Sequence, residues 1–226
     1  MRELIILRGV LLIGIMAGFL VFPFNVMSAT LDGVVKGRDG KPVKDAVIYA
    51  VAADGSTHGR TKQQEAVMDQ VNKEFVPYVL PVQVGTAVRF PNKDNIRHHV
   101  YSISPAKRFE LPLYKGTPSS PVVFDKPGAV VLGCNIHDWM AAYIYVVETP
   151  YFATTGKDGS AAIHDLPQGE YEVLVWHPLQ KERSETTGKR VNLSEKGSRV
   201  DFVIELKPDW RPRRTPSTGG GGGGYY

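Results

Sequence analysis

"PVVFDKPGAVVLGCNIHDWMAAYIYVVE", Pro121 to Glu148, is the stretch on which the reading of this chain turns. Two β-rich runs flank a turn at Lys126–Gly128, a loop follows, and "MAAYIYVVE" runs out of the loop as another strand. The loop holds Cys134, the only cysteine of the 226 residues, with His137 three positions on and Met140 three after that. A chain turning between two strands can aim all three side chains at one point. Thiolate, imidazole and thioether are soft or borderline donors, and the thioether suits copper rather than zinc or calcium. Taken singly, a lone cysteine is often a small buried hydrophobe and a methionine near aromatics is ordinary core. Together, at this spacing, they point to a metal. A trigonal copper site for electron transfer needs a second imidazole, and "NIRHHVY" offers His98 and His99 at the start of a strand.

Working outward, "FVPYVLPVQVGTAVRFPNKD" predicts strands over Val79–Val84 and Ala87–Phe90 about a Gly-Thr turn, and "HHVYSI" predicts another. "KRFELPLYKGTPSS" reads as mostly irregular, with a short strand at Phe109–Leu111. "QQEAVMDQVNKE" fits either a turn or two of helix or a strand over Val67–Val71. On the N-terminal side, Leu31–Val35 and Ala46–Val51 read as strands joined by "GRDGKP" turn chemistry. Beyond Thr154, "TTGKDGSAAIHDLPQGEYEVLVWHP" and "GKRVNLSEKGSRVDFVIEL" predict four more. Short strands at regular spacing, with turn signals between them, predict an all-β architecture, a sandwich or a barrel. The segment 207–226 is basic, Pro-rich and carries six consecutive glycines, so it is expected to be disordered.

The formal charge of +4 is modest and sits partly in that tail, with no basic stripe interleaved with aromatics, which argues against nucleic-acid binding. Residues 1–29 read as a signal peptide: Arg2 and Arg8, an uncharged run of 16 residues from Gly9 to Phe24, then small residues at Ser28 and Ala29, with cleavage expected near Ala29. The rival reading is an uncleaved membrane anchor, but the run falls short of the roughly 20 residues a spanning helix needs. The expected location is therefore periplasmic or otherwise exported, with no stable membrane span after cleavage. In such an oxidising compartment an unpaired cysteine implies an intermolecular bridge, a reactive thiol or a metal ligand.

From about Val67 to Val147 the chain resembles the cupredoxins, the plastocyanin and amicyanin group of blue copper proteins. The resemblance is carried by the "F-x-P" opening, "V-x-x-G-T-x-V-x-F-x-N", the histidine strand, the "F-D-x-P-G" turn and the Cys-x-x-His-x-x-Met loop, whose short spacing is that of amicyanin. The resemblance implies a Greek-key cupredoxin sandwich over residues 65–148 and one type 1 copper held by His98, Cys134, His137 and Met140. It places His98 at the ligand position and His99 where the family commonly has an Asn that ties the ligand loops together. Strand alternation turns only one of the two toward the site, and His98 is preferred over His99. Asn135 and Phe90 are candidates for surrounding the site. The family's portal histidine corresponds to His137, with Asp138 and Trp139 beside it, either as docking residues or as a solvated Asp and a packing Trp.

The flanking strands are similar to two consecutive parts of the carboxypeptidase regulatory-like, or prealbumin-like, sandwich. This implies a second small Ig-like/prealbumin-like β-sandwich built from 30–60 and 150–206, with the copper domain inserted; the alternative is that these strands merely extend the first sandwich. The expected function is an exported blue copper protein shuttling single electrons between periplasmic redox proteins. The alternatives are a copper carrier without redox cycling, and a structural or glycan-binding protein with a vestigial site. No open metal position or hydrolytic triad is visible, so no enzymatic activity is expected. His58, His164 and His177 have no neighbouring donor and are assigned no metal.

Overall fold

The computed structural model describes residues 28–56, 64–118, 120–182 and 187–212; all but the last two residues of the expected signal peptide, His58 and the glycine run lie outside them. Among these residues the chain is all-β and no helix forms. One strand, β12 (Ala141–Val147), is buried at every position. Its alternate side chains explain why. Ala142, Ile144 and Val146 enter one core, while Tyr143, Tyr145 and Val147 enter another. A strand covered on both faces reads as a continuous apolar run, and "AAYIYVV" is one.

The first core lies between two sheets. In one sheet β12 is flanked by β6 (Val79–Gln83), which runs parallel to it, and by β11 (Gly128–Gly133), followed by β8 (His98–Ser104) and β9 (Lys107–Tyr114). The opposing layer orders β10 (Val122–Phe124), β7 (Thr86–Arg89) and β3 (Glu65–Val67). A separate hairpin, β4 (Asp69–Val71) and β5 (Glu74–Val76), completes it. Thus "QQEAVMDQVNKE" contributes strands, not a helix. β9 is eight residues long where only a short strand was expected. Pro112 is tolerated inside it because β9 is the edge of its sheet, where a missing N–H costs no ladder bond.

The second core draws on both ends of the chain, from Ala29 to Ala50 and from Ile163 to Ile204. It lies between a sheet ordered β14 (Ser160–Pro167), β1 (Ser28–Gly37), β17 (Ser198–Ile204) and one ordered β13 (Phe152–Thr154), β2 (Val47–Ala52), β15 (Gly169–Trp176), β16 (Lys189–Leu193). The expected cleavage point, Ala29, falls inside β1, where it is buried and pairs with Leu166. The two halves meet where Val47, Tyr49 and Leu174 pack on Val79, Tyr143, Tyr145 and Val147. Trp176 stacks on Tyr145 with ring centroids 4.2 Å apart and planes 6° from parallel.

The tail departs from its expected disorder at its start. The Trp210 indole N–H donates to Tyr143 Oη at 3.2 Å, and the Arg211 guanidinium lies 3.9 Å over the Tyr78 ring. Composition alone gave no weight to these two side chains, each of which finds an aromatic partner on the first sandwich.

Candidate metal centre

Strand ends assemble the site. Gly133 at the end of β11 pairs with Ala141 at the start of β12 and with Tyr101 of β8, so residues 134–140 cross the same end of the sheet at which β8 begins with His98. The crossing is tight: Met140 N–H donates to His137 C=O, and Ala141 N–H to Trp139 C=O, each at 3.0 Å. Tyr101 lies directly over Gly133, where a Cβ would sit 2.7 Å from its ring carbon Cζ. Glycine before the cysteine is what lets this ring lie flat beside the loop.

The donor atoms of His98, Cys134 and His137 all lie within 4.8 Å of one another. Cys134 Sγ is 3.8 Å from His137 Nδ1, and the two imidazole centroids are 5.0 Å apart. Bonds of about 2.0–2.3 Å from a small metal ion to nitrogen and sulfur hold neighbouring donors about 3.5–4 Å apart. The sulfur–nitrogen pair is at that spacing, and the widest separation needs a closure of about 1 Å. His98 is 0% and Cys134 6% exposed, while His137 is half-buried and faces the surface.

His98 shows which atom would bind. Its Nε2 lies 2.7 Å from Asp94 Oδ2, whereas Nδ1 is buried and has no hydrogen-bond partner among the described residues. A buried polar atom without a partner costs about 1–3 kcal/mol. A carboxylate on the far nitrogen keeps the proton there and leaves the Nδ1 lone pair free for a metal. Burial works to raise the Asp94 pKa. The backbone N–H of Lys73, the His98 ring and the N–H of Asn72 outweigh it and hold the carboxyl below its ordinary value.

His99 takes the other direction. Its Nδ1 accepts from Asn135 Nδ2 at 2.5 Å, and its Nε2 is 2.9 Å from Glu110 Oε1, off the line a hydrogen bond requires. Because Asn135 follows Cys134, this imidazole ties the ligand loop to β8. Met140 is 1% exposed and belongs to the core that holds Cys134 and Phe90. Phe90 packs on Phe109 at 5.5 Å between centroids, deep in that core. Asp138 is exposed, and the Trp139 indole donates to Lys73 C=O at 3.1 Å while its ring lies 5.2 Å from that of His137. His164 sits away from the site, with Nδ1 3.2 Å from Thr30 Oγ1, and His177 is buried in the second half.

Two residues of the site escaped sequence reading. Asp94 is one; its signal was a carboxylate four positions before His98. Asn92 is the other. Its amide donates to the Ile96 and Tyr114 carbonyls at 2.8 and 2.9 Å, and its Oδ1 accepts from Asp94 N–H at 3.0 Å, so it braces the loop that delivers Asp94 and His98. Tyr114 closes the layer beneath, donating to Phe90 C=O at 2.6 Å; burial pushes its hydroxyl up to about 12.

No protein-family model matches the chain, and no curated protein matches it. Several solved structures are similar over part of it. A purple cupredoxin from Nitrosopumilus maritimus is 23% identical over 36% of this chain and 99% of its own, at a TM-score of 0.32. A reduced Cu(I) form of an amicyanin variant is 21% identical over 46% of this chain and 99% of its own, at 0.34. A copper-containing nitrite reductase from Thermus scotoductus SA-01 is 24% identical over 51% of this chain but only 28% of the enzyme, at 0.36. At these scores the likeness carries no weight for the chemistry, which rests on the donors themselves.

Proposed function

We propose that this chain is an exported type 1 copper protein that carries single electrons between periplasmic redox proteins, with His98, Cys134, His137 and Met140 as ligands. The observation that carries the reading is the buried His98 imidazole, which has an unpartnered Nδ1 among the described residues and offers a donor atom within 4.8 Å of those of a buried thiol and a second imidazole. Two imidazoles and one thiolate with a methionine in the same loop is the donor set of electron-transfer copper. Bound there, copper would supply one-electron oxidation and reduction.

The chain's own residues do the rest. Asp94 orients His98, Asn135 and His99 hold the ligand loop against β8, and Phe90 with Phe109 keeps water from the buried side. Ligands held this firmly move little when the ion changes charge. The half-buried His137 provides the route to a partner. We read the second sandwich as the regulatory-like module with the copper domain inserted, serving to position or dock. The protein has no enzymatic role in this reading.

The test is to load purified protein with Cu(II) and record visible and EPR spectra. An intense thiolate charge-transfer band in the red that vanishes on reduction and returns on oxidation is expected. Cys134→Ser should abolish it, and Met140→Leu should keep it while raising the potential by voltammetry. Tight Cu(I) binding with no such band would mean a delivery protein instead.

A further inference from the structure

The hairpin β4–β5 turns through two residues, Asn72 and Lys73, since Val71 pairs with Glu74. Both have positive φ, 55° and 61°. Two-residue hairpin loops of this kind suit Asn at the first position and Gly at the second, so Lys73 is held in a conformation that an L side chain resists. Such strain persists where the surroundings over-determine it. Here three bonds do so. The N–H groups of Asn72 and Lys73 donate to the two Asp94 carboxylate oxygens at 2.7 and 2.8 Å, and the Lys73 carbonyl accepts from the Trp139 indole at 3.1 Å.

The two N–H bonds lead through Asp94 to one imidazole, and the carbonyl bond leads through Trp139 to the other. Asp94 accepts from His98 Nε2 at 2.7 Å, and the Trp139 ring packs 5.2 Å from His137. The turn lies far from both histidines in sequence and contributes no ligand. We propose that the Asn72–Lys73 turn is the positioning element of the metal centre. Its N–H groups fix His98 through Asp94, its carbonyl fixes His137 through Trp139, and one rigid hinge thereby sets the spacing of the two rings. This rests on reading the site as a metal centre, but part of it is measurable without any metal.

In metal-free protein at pH 8, nitrogen-resolved NMR of the imidazoles should show the His98 proton on Nε2, and Asp94→Ala should yield a mixture of tautomers. A wild-type His98 with its proton on Nδ1 would overturn the proposal whatever copper does. With copper, Asp94→Ala should weaken binding about 10–100-fold and Trp139→Phe, which keeps the ring but loses the donor, about tenfold. The double variant should depart from the product of the two effects by about threefold or more, because both act through one turn. A product within error, or an unchanged Trp139→Phe, would overturn it. Lys73→Gly keeps both backbone groups and relieves the strained φ, so it should bind copper within about twofold of wild type and unfold at higher temperature. A loss of binding there would place the effect in the Lys73 side chain and overturn the backbone role. Normal apo tautomers with no red band would instead sink the electron-transfer reading and leave the turn's role intact.

Discussion

A proton on Nε2, pinned by Asp94, leaves His98 one lone pair, with no partner for it among the described residues. Its neighbour His99 has its Nδ1 lone pair engaged by Asn135. The two adjacent rings therefore separate cleanly by experiment. His98→Ala should lose the red band and copper affinity together, whereas His99→Asn should keep the band, since an amide at that position can still bridge to Asn135. Visible titration with Cu(II) reads both. A second residue-scale prediction concerns His177. Burial, opposed by the charges of Asp45 and Asp209 and by a hydrogen bond to the Lys44 backbone, lowers its pKa from 6.5 to about 4. Between those values the unfolded chain takes up a proton that the folded chain refuses. Stability should thus fall as pH drops from about 6.5 to 4 and level off below, by roughly 3 kcal/mol from this group. His177→Asn keeps an acceptor for the Leu179 N–H that now bonds Nδ1 at 3.2 Å, and should flatten that part of the pH profile in urea unfolding.

At the scale of elements, turns and edges carry the architecture more visibly than strand interiors. Gly159 precedes β14 with φ of 75°, and a Cβ there would lie 2.5 Å from the Val35 carbonyl oxygen. Its own carbonyl accepts from Val35 N–H at 2.8 Å, which joins the turn to β1. Gly159→Ala should destabilise the protein by about 1–3 kcal/mol in equilibrium unfolding, with the copper spectrum unchanged because the turn belongs to the second core. β9 shows the opposite case. Phe109 and Leu111 alternate toward the first core, as the expected short strand should, but the strand runs on through Pro112 to Tyr114. Whether that proline breaks a strand depends on whether its nitrogen faces a neighbour, and an edge position removes the conflict.

The molecule as a whole is two sandwiches joined through aromatic side chains. Tyr49, Tyr143, Tyr145 and Trp176 make ring contacts across the junction, with Tyr49 and Tyr145 hydroxyl oxygens 3.3 Å apart, and residues 207–211 lie over its edge. Each aromatic pair adds about 0.5–1.5 kcal/mol beyond its burial. Residues 65–148 expressed alone would expose Tyr143, Tyr145, Val79 and Val147, which the second half now covers. That fragment should bind an apolar dye and associate in sedimentation, while the full chain remains monodisperse. The full chain should unfold in one transition whose midpoint rises with copper, because a ligand that binds only the folded form stabilises everything coupled to it. Two resolved transitions, with only one responding to copper, would show the halves to be independent.

From the sequence alone the all-β class followed, as did the turns at "GRDGKP", Gly85–Thr86 and Lys126–Gly128, and the gathering of Cys134, His137 and Met140 in one loop. Those are local matters: strand alternation, backbone freedom and a spacing of three are written into consecutive residues. Alternation along the strand already favoured His98 over His99; that Asp94 bonds His98, that the Asn72–Lys73 turn bonds both Asp94 and Trp139, and that β12 is covered on both faces came only from the tertiary structure. Each of these joins residues distant in the chain, and what brings them together is sheet pairing and the closing of two cores, which no short stretch encodes.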